Sequence, residues 1–124
     1  RFVNISALSY NAIGTVDRQL TQDEFDEFFT KTRPIIANFH GYPENLRQIL
    51  THYAEPKRLK VHGFNEQGST TTPFEMLSMN QASRYHLALD VARLEKRDDL
   101  IKKYQKILND NTAYAREHGI DQIV

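Results

Sequence analysis

The chain contains no cysteine. That removes disulfide scaffolds, thiolate zinc sites and a cysteine nucleophile. No Gly-x-Ser-x-Gly elbow stands in for the missing nucleophile. Charge of one sign is not in excess either: 16 Lys and Arg balance 16 Asp and Glu. Nucleic-acid binders usually carry a basic surplus to neutralise phosphates, so nucleic acid is not an expected partner. No apolar run approaches the roughly 18 residues of a membrane span, and no signal-peptide pattern is present. A membrane partner is therefore not expected. With cysteine absent as well, the pattern fits a reducing compartment, and a cytoplasmic location is the expectation. A P-loop is missing, as are internal repeats and low-complexity tracts.

What remains is ordinary globular material: 124 residues, 40% hydrophobic and 26% charged, enough for one domain. The chain opens at Arg1 and runs directly into Phe2-Val3-Asn4-Ile5. We read this as a strand, and the whole as a piece of a longer polypeptide. Residues 9–20, with Gly14, read as a loop. Thr21-Gln22-Asp23-Glu24 is a capping box, after which Phe25, Phe28 and Phe29 share one helical face. Pro34 to Phe39 is a near-continuous apolar strand of the kind covered on both faces in parallel sheets. Leu46, Ile49, Leu50 and Tyr53 stripe a second helix, and Leu59 to Phe64 is a third strand. Lys57, Arg58 and Lys60 form a basic cluster, read as a solvated loop.

Thr72-Pro73-Phe74-Glu75 starts a further helix: Thr at the cap, Pro at the first position, Glu at the third. Helix continues to Gly119, with a break at Asn80. One stripe is Tyr85, Ala88, Leu89 and Ala92; a later one runs from Leu100 to Ala115, with Asp98/Lys102 and Asp99/Lys103 as i,i+4 pairs. Strands that alternate with helices, then helices alone, predict an α/β fold with a parallel sheet and a helical tail.

Two strands each end in a His-Gly-aromatic turn: Phe39-His40-Gly41-Tyr42-Pro43 and His62-Gly63-Phe64. The second continues as Asn65-Glu66-Gln67-Gly68-Ser69-Thr70-Thr71-Thr72-Pro73. With Ser83-Arg84-Tyr85-His86-Leu87, these blocks resemble the C-terminal domain of phosphoketolases, enzymes related to transketolase. The resemblance covers nearly the whole chain. It departs at Ser6 to Tyr10 and at Phe64-Asn65, where the family more often carries Tyr and Lys or Arg. It implies one domain over residues 1–124, a three-layer α/β/α, transketolase C-terminal-domain-like arrangement lacking its first strand-helix unit. It also implies a parent enzyme that uses thiamine diphosphate and Mg2+ to cleave xylulose 5-phosphate or fructose 6-phosphate with phosphate, giving acetyl phosphate.

The motifs such enzymes use for the cofactor, a Gly-Asp-Gly opening and a ring-activating glutamate, are not identifiable here. The resemblance therefore implies a catalytically silent domain that packs on upstream cofactor-binding domains of the same polypeptide and helps set a homodimer. The loops expected to make those contacts carry His40, Gly41, Tyr42, His62, Gly63, Glu66, Gly68, Thr71, Thr72 and Pro73.

Other readings of the same residues stay open. His40, His62 and Glu66 would make a two-His, one-carboxylate metal site if the strand ends adjoin, as in a free-standing small-ligand or metal enzyme. By spacing alone, loop histidines bonded to backbone are the favoured reading, ahead of a contact with another domain or subunit and of the metal site. The glycines and the Ser69 to Thr72 run offer free amides to an anion at a helix start, or simply a capped helix.

Overall fold

The computed structural model describes residues 1–65 and 72–122. Capping chemistry sets the first helix, α1 (Gln22–Phe29). The Thr21 hydroxyl accepts from the Glu24 amide, and the Glu24 carboxylate accepts from the Thr21 amide. Arg18 grips the same carboxylate at 2.7 Å; its hydrogen bond, with that of the Thr21 amide, holds Glu24 down to about 2.

β1 (Ile35–Asn38) follows, then α2 (Pro43–Leu50) with Pro43 in its first turn, then a 3₁₀ turn over Pro56–Arg58 and β2 (Leu59–His62). β1 and β2 pair in parallel, Ile35 opposite Leu59 and Asn38 opposite His62, with α2 as the crossover. Alternation along β2 sends Leu59 and Val61 to one face, where α2 meets them in a core with Ile13, Phe25, Ile35, Leu46 and Leu50. Phe25 and Leu50 are the largest wholly buried side chains, and Phe25 stacks on Phe29 and Tyr53. Lys60 and His62 face the other way.

Thr72 then caps α3 (Pro73–Met79) in a second capping box. Ser83 caps α4 (Arg84–Leu94), which lies against β1, and α5 (Asp98–His118) packs along α4 and α3. Tyr85, Leu89 and Leu108 are the buried centre of that second cluster. α5 ends at Gly119, φ 68°, where a left-handed residue is inexpensive. An α/β arrangement with a parallel pair and a helical tail is thus what the residues form. Thr21, Thr72, Asn80 and Gly119 all mark the boundaries expected of them.

Four expectations need correction. Residues 1–5 are not a strand. Phe2 is 90% exposed, and no described strand lies opposite to take up the backbone groups; the Arg1 guanidinium instead donates to the Glu27 and Phe28 carbonyls. Phe28 turns outward, half exposed, while Phe25 and Phe29 face in. Arg58 does not belong to a solvated loop: it is 8% exposed and donates to the carbonyls of Phe29 and Thr30, which α1 leaves open at its end, and of Arg33 just beyond. On α5, Arg97 takes Asp99 at 3.0 Å and Lys106 takes Asp110 at 2.6 Å, in place of the Asp98/Lys102 and Asp99/Lys103 pairs.

The loop over residues 9–20 is tighter than its composition suggests. Bridges join Leu8 to Ile13 and Gly14 to Gln19, and the Tyr53 hydroxyl accepts from the Ile13 amide and donates to the Leu20 carbonyl.

Candidate functional site

The parallel pair does not stop at its last ladder residues. The Phe39 amide donates to the His62 carbonyl at 2.9 Å, and the Phe64 amide to the Gly41 carbonyl at 2.7 Å. This extension brings the two His-Gly turns together at the carboxyl end of the sheet. Gly63 is what allows it. A Cβ there would lie 2.9 Å from Pro43 Cδ and closer still to the Gly41 carbonyl oxygen. Neither neighbour is a flexible side-chain tip.

The register offsets the two turns by two residues. His62 stands opposite Asn38, so His40 comes level with Phe64, and their rings lie 4.8 Å apart. The two histidines consequently have separate partners. His62 points to α4, where its Nε2 is 2.6 Å from Asp90 Oδ2. Glu66, Gly68 and Thr71 lie outside the described residues. Tyr42 is exposed at the mouth of α2, and Thr72 and Pro73 open α3.

Asp90 is the hub of this face. It is 5% exposed and accepts from Lys60 Nζ at 2.6 Å as well as from His62, with Arg93 further off at 3.7 Å. Burial pushes the Asp90 carboxyl up, but the hydrogen bonds from Lys60 and His62 outweigh it and hold the group below its ordinary value. A hydrogen bond to an ionised carboxylate requires the proton on His62 Nε2.

His86 lies one turn earlier on α4, its Nδ1 2.7 Å from Ser83 Oγ. Burial, then the neighbouring charges of His62 and Arg93, push His86 below its ordinary value against the pull of Asp90. Asn38 completes the junction by donating to the Ala82 carbonyl at 2.6 Å.

Asp90, Lys60 and His86 were not singled out as site residues from the sequence. A signal did exist. Lys60 and His62 are two apart on a strand whose other residues are apolar, so one face of a covered strand carries cationic or polar groups. Such a face calls for a buried acid. Asp90 sits beside Leu89 in the α4 stripe and is the acid placed to supply it.

Comparison with known sequences places these features. The family described as the XFP C-terminal domain matches residues 1–123. The chain belongs to that family. It is 38% identical over 107 residues to a protein named probable phosphoketolase from Pseudomonas putida, covering 82% of this chain and 14% of that one. A probable phosphoketolase from Pediococcus pentosaceus is 34% identical over 127 residues, covering 98% of this chain and 16% of the relative. The phosphoketolase C-terminal domain thus spans less than a fifth of the length of the curated relatives it matches.

The described residues around Asp90 are a poor fit to a magnesium diphosphate. Hard cations take several oxygen ligands. Asp90, the buried carboxylate that α4 sets against β2, already has Lys60 and His62 on its oxygens and Arg93 beside them. Among the described residues no group of three or more His, Asp or Glu is arranged to hold a metal ion. No described helix is long and apolar enough to cross a membrane.

Proposed function

We propose that this chain is the C-terminal, non-catalytic domain of a thiamine-diphosphate-dependent phosphoketolase. The parent would cleave xylulose 5-phosphate or fructose 6-phosphate with phosphate, giving acetyl phosphate and an aldose phosphate. The reading rests on the family match over residues 1–123, together with relatives named probable phosphoketolase that are far longer than the chain. The chemistry around Asp90 supports it. Thiamine diphosphate with Mg2+ calls for acidic oxygens, whereas the buried acid here is spent on Lys60 and His62. In this reading the cofactor is held by other domains of the same polypeptide, and the parent works as a homodimer.

The domain's role is architectural. The fused turns at His40-Gly41-Tyr42 and His62-Gly63, with the start of α3 at Thr72-Pro73, offer the surface that docks on those domains; Glu66, Gly68 and Thr71 stand between His62-Gly63 and Thr72 in the sequence and are assigned to it on that ground alone. Exposed Tyr42 supports this assignment.

The test has two parts. The purified chain, given thiamine diphosphate, Mg2+, phosphate and either sugar phosphate, is expected to form no acetyl phosphate above a heat-killed control; formation would overturn the non-catalytic role. In the full polypeptide, Tyr42→Asp should loosen the assembly, read as a smaller particle by light scattering. An unchanged particle with unchanged thermal stability would remove Tyr42 from the docking surface. Stoichiometric metal in the purified chain would favour instead a metal site built on His40, His62 and Glu66.

A further inference from the structure

Behind the Asp90 hub, between α4 and α5, lies a cavity of about 170 Å³. Its polar lining among the described residues is His62, Gln81, His86, Asp90, Arg93 and Gln105. A wider groove of about 370 Å³ adjoins it, shares His86 and Gln105, and reaches Arg116.

The donors and acceptors here are unequal. Asp90 is the acid in the smaller cavity, and its two oxygens are engaged by Lys60 and His62 at 2.6 Å each. Arg93 stands 3.7 Å from Oδ1, and no hydrogen bond from its guanidinium is made among the described residues. A guanidinium has five N–H donors in a planar fork; this one is half exposed beside Asp90, so its donors meet solvent that an anion would displace.

His86 adds a donor of its own. Ser83 Oγ accepts from the His86 amide and lies 2.7 Å from His86 Nδ1, a contact in which the hydroxyl hydrogen can be the donor. A neutral ring that accepts at Nδ1 carries its proton on Nε2. Gln81 and Gln105 bring amides. The groove's far end repeats the theme, with Arg116 Nε 3.7 Å from Glu75.

We propose that this cavity binds a small dianion, a phosphate ester or a dicarboxylate, with Arg93 as the fork and His86 Nε2–H, Gln81 and Gln105 as neutral donors. Guanidinium forks match the paired oxygens of both ligand types. The volume is well below that of pockets for drug-sized molecules and suits a ligand of few heavy atoms. The inference concerns a site within this chain and does not depend on where the parent holds its cofactor.

The test labels arginines with phenylglyoxal in the full polypeptide and reads each site by peptide mass spectrometry. Sulfate stands in for the phosphate ester and malonate for the dicarboxylate, with sodium chloride at matched ionic strength as the reference. Arg93 labelling should slow saturably with at least one dianion, while Arg97, an exposed neighbour paired with Asp99, should not. His86→Ala should weaken that protection about tenfold or more, as expected for loss of a good hydrogen bond to a charged ligand; His86→Gln, which restores a donor, should recover part of it.

Protection by sulfate alone assigns the site to phosphate esters, by malonate alone to dicarboxylates, and by both to small dianions generally. No protection of Arg93 in the unmodified protein, or equal slowing at Arg93 and Arg97, overturns the proposal. That readout needs no variant and so does not depend on any variant folding.

Discussion

At Asp90 burial and pairing act in opposite directions, and the folded protein depends on pairing winning. Asp90→Asn keeps the shape and removes the charge that Lys60 and His62 share. Removing one partner of a buried ion pair costs about 3–5 kcal/mol, and hydrogen bonds to charged groups are worth about 1.5–3 kcal/mol. Lys60 is half exposed, so the lower figure applies and about 2 kcal/mol is expected in urea unfolding. An unchanged midpoint would mean that α4 is held to β2 by apolar contact alone. The titration of this face has a definite sign. His86 folded lies below 6.5, so it binds fewer protons folded than unfolded. The stability it contributes is intact above 6.5 and is lost as pH falls through its folded value. Asp90 behaves likewise below 3.8. The melting temperature should therefore drop as pH falls below 6.5, and His86→Gln should flatten that drop. A slope of the same size in His86→Gln would place the titrating group elsewhere. At Gly63 the constraint is steric. Gly63→Ala must push Pro43 or the Gly41 carbonyl aside, at about 1–3 kcal/mol by the usual toll of overpacking.

The helices were legible because their ends are written in a few adjacent residues. Thr21 with Glu24 and Thr72 with Glu75 place both partners of each reciprocal bond three residues apart. Thr72→Ala should cost about 1 kcal/mol, within the range for cap removal; calorimetry showing no change would mean that Pro73 alone fixes where α3 begins. Elements whose partners are distant in the chain were read less well. Residues 1–5 have strand-forming side chains, but a strand exists only where a ladder does, and composition does not report one. The basic cluster was misjudged for the same reason. Lys57, Arg58 and Lys60 read as one exposed run, yet they part three ways: Lys57 to Glu55, Arg58 under the end of α1, Lys60 to Asp90. Register was hidden too. The matching His-Gly words suggested equivalent positions, and only the pairing of Asn38 with His62 reveals the two-residue offset that separates the imidazoles. Arg58 carries the test at this scale. Arg58→Met keeps the stem and removes the donors to three carbonyls around the end of α1, so about 2 kcal/mol of stability should go, with loss of amide protection concentrated in α1. Uniform loss of protection across the chain would show that Arg58 supports the core rather than that helix end.

For the whole molecule, the open question is how a two-stranded parallel sheet is kept from pairing with something else. Parallel sheets are normally covered on both faces, and two strands alone are marginal. Here α2 covers one face and α4 the other, so the faces are accounted for. The edges are not: among the described residues, β1 and β2 have only each other as ladder partners. The first core is also modest: among the described residues, Phe25 and Leu50 are its only large side chains wholly shut from water. Near the start of the chain, Phe2, Tyr10 and Val16 are more than four-fifths exposed. Unpaired strand edges beside exposed apolar groups recruit further strands or surfaces. The isolated chain should therefore run larger than a monomer by light scattering, or show weak amide protection at residues 1–5 and 35–38 while α4 and α5 stay protected. In a longer polypeptide that supplied the edge with a partner, the same β1 amides should become slow to exchange. A monomer with strongly protected β1 in the isolated chain would show that α2 and α4 are sufficient to hold the pair, and the need for an outside partner would be refuted.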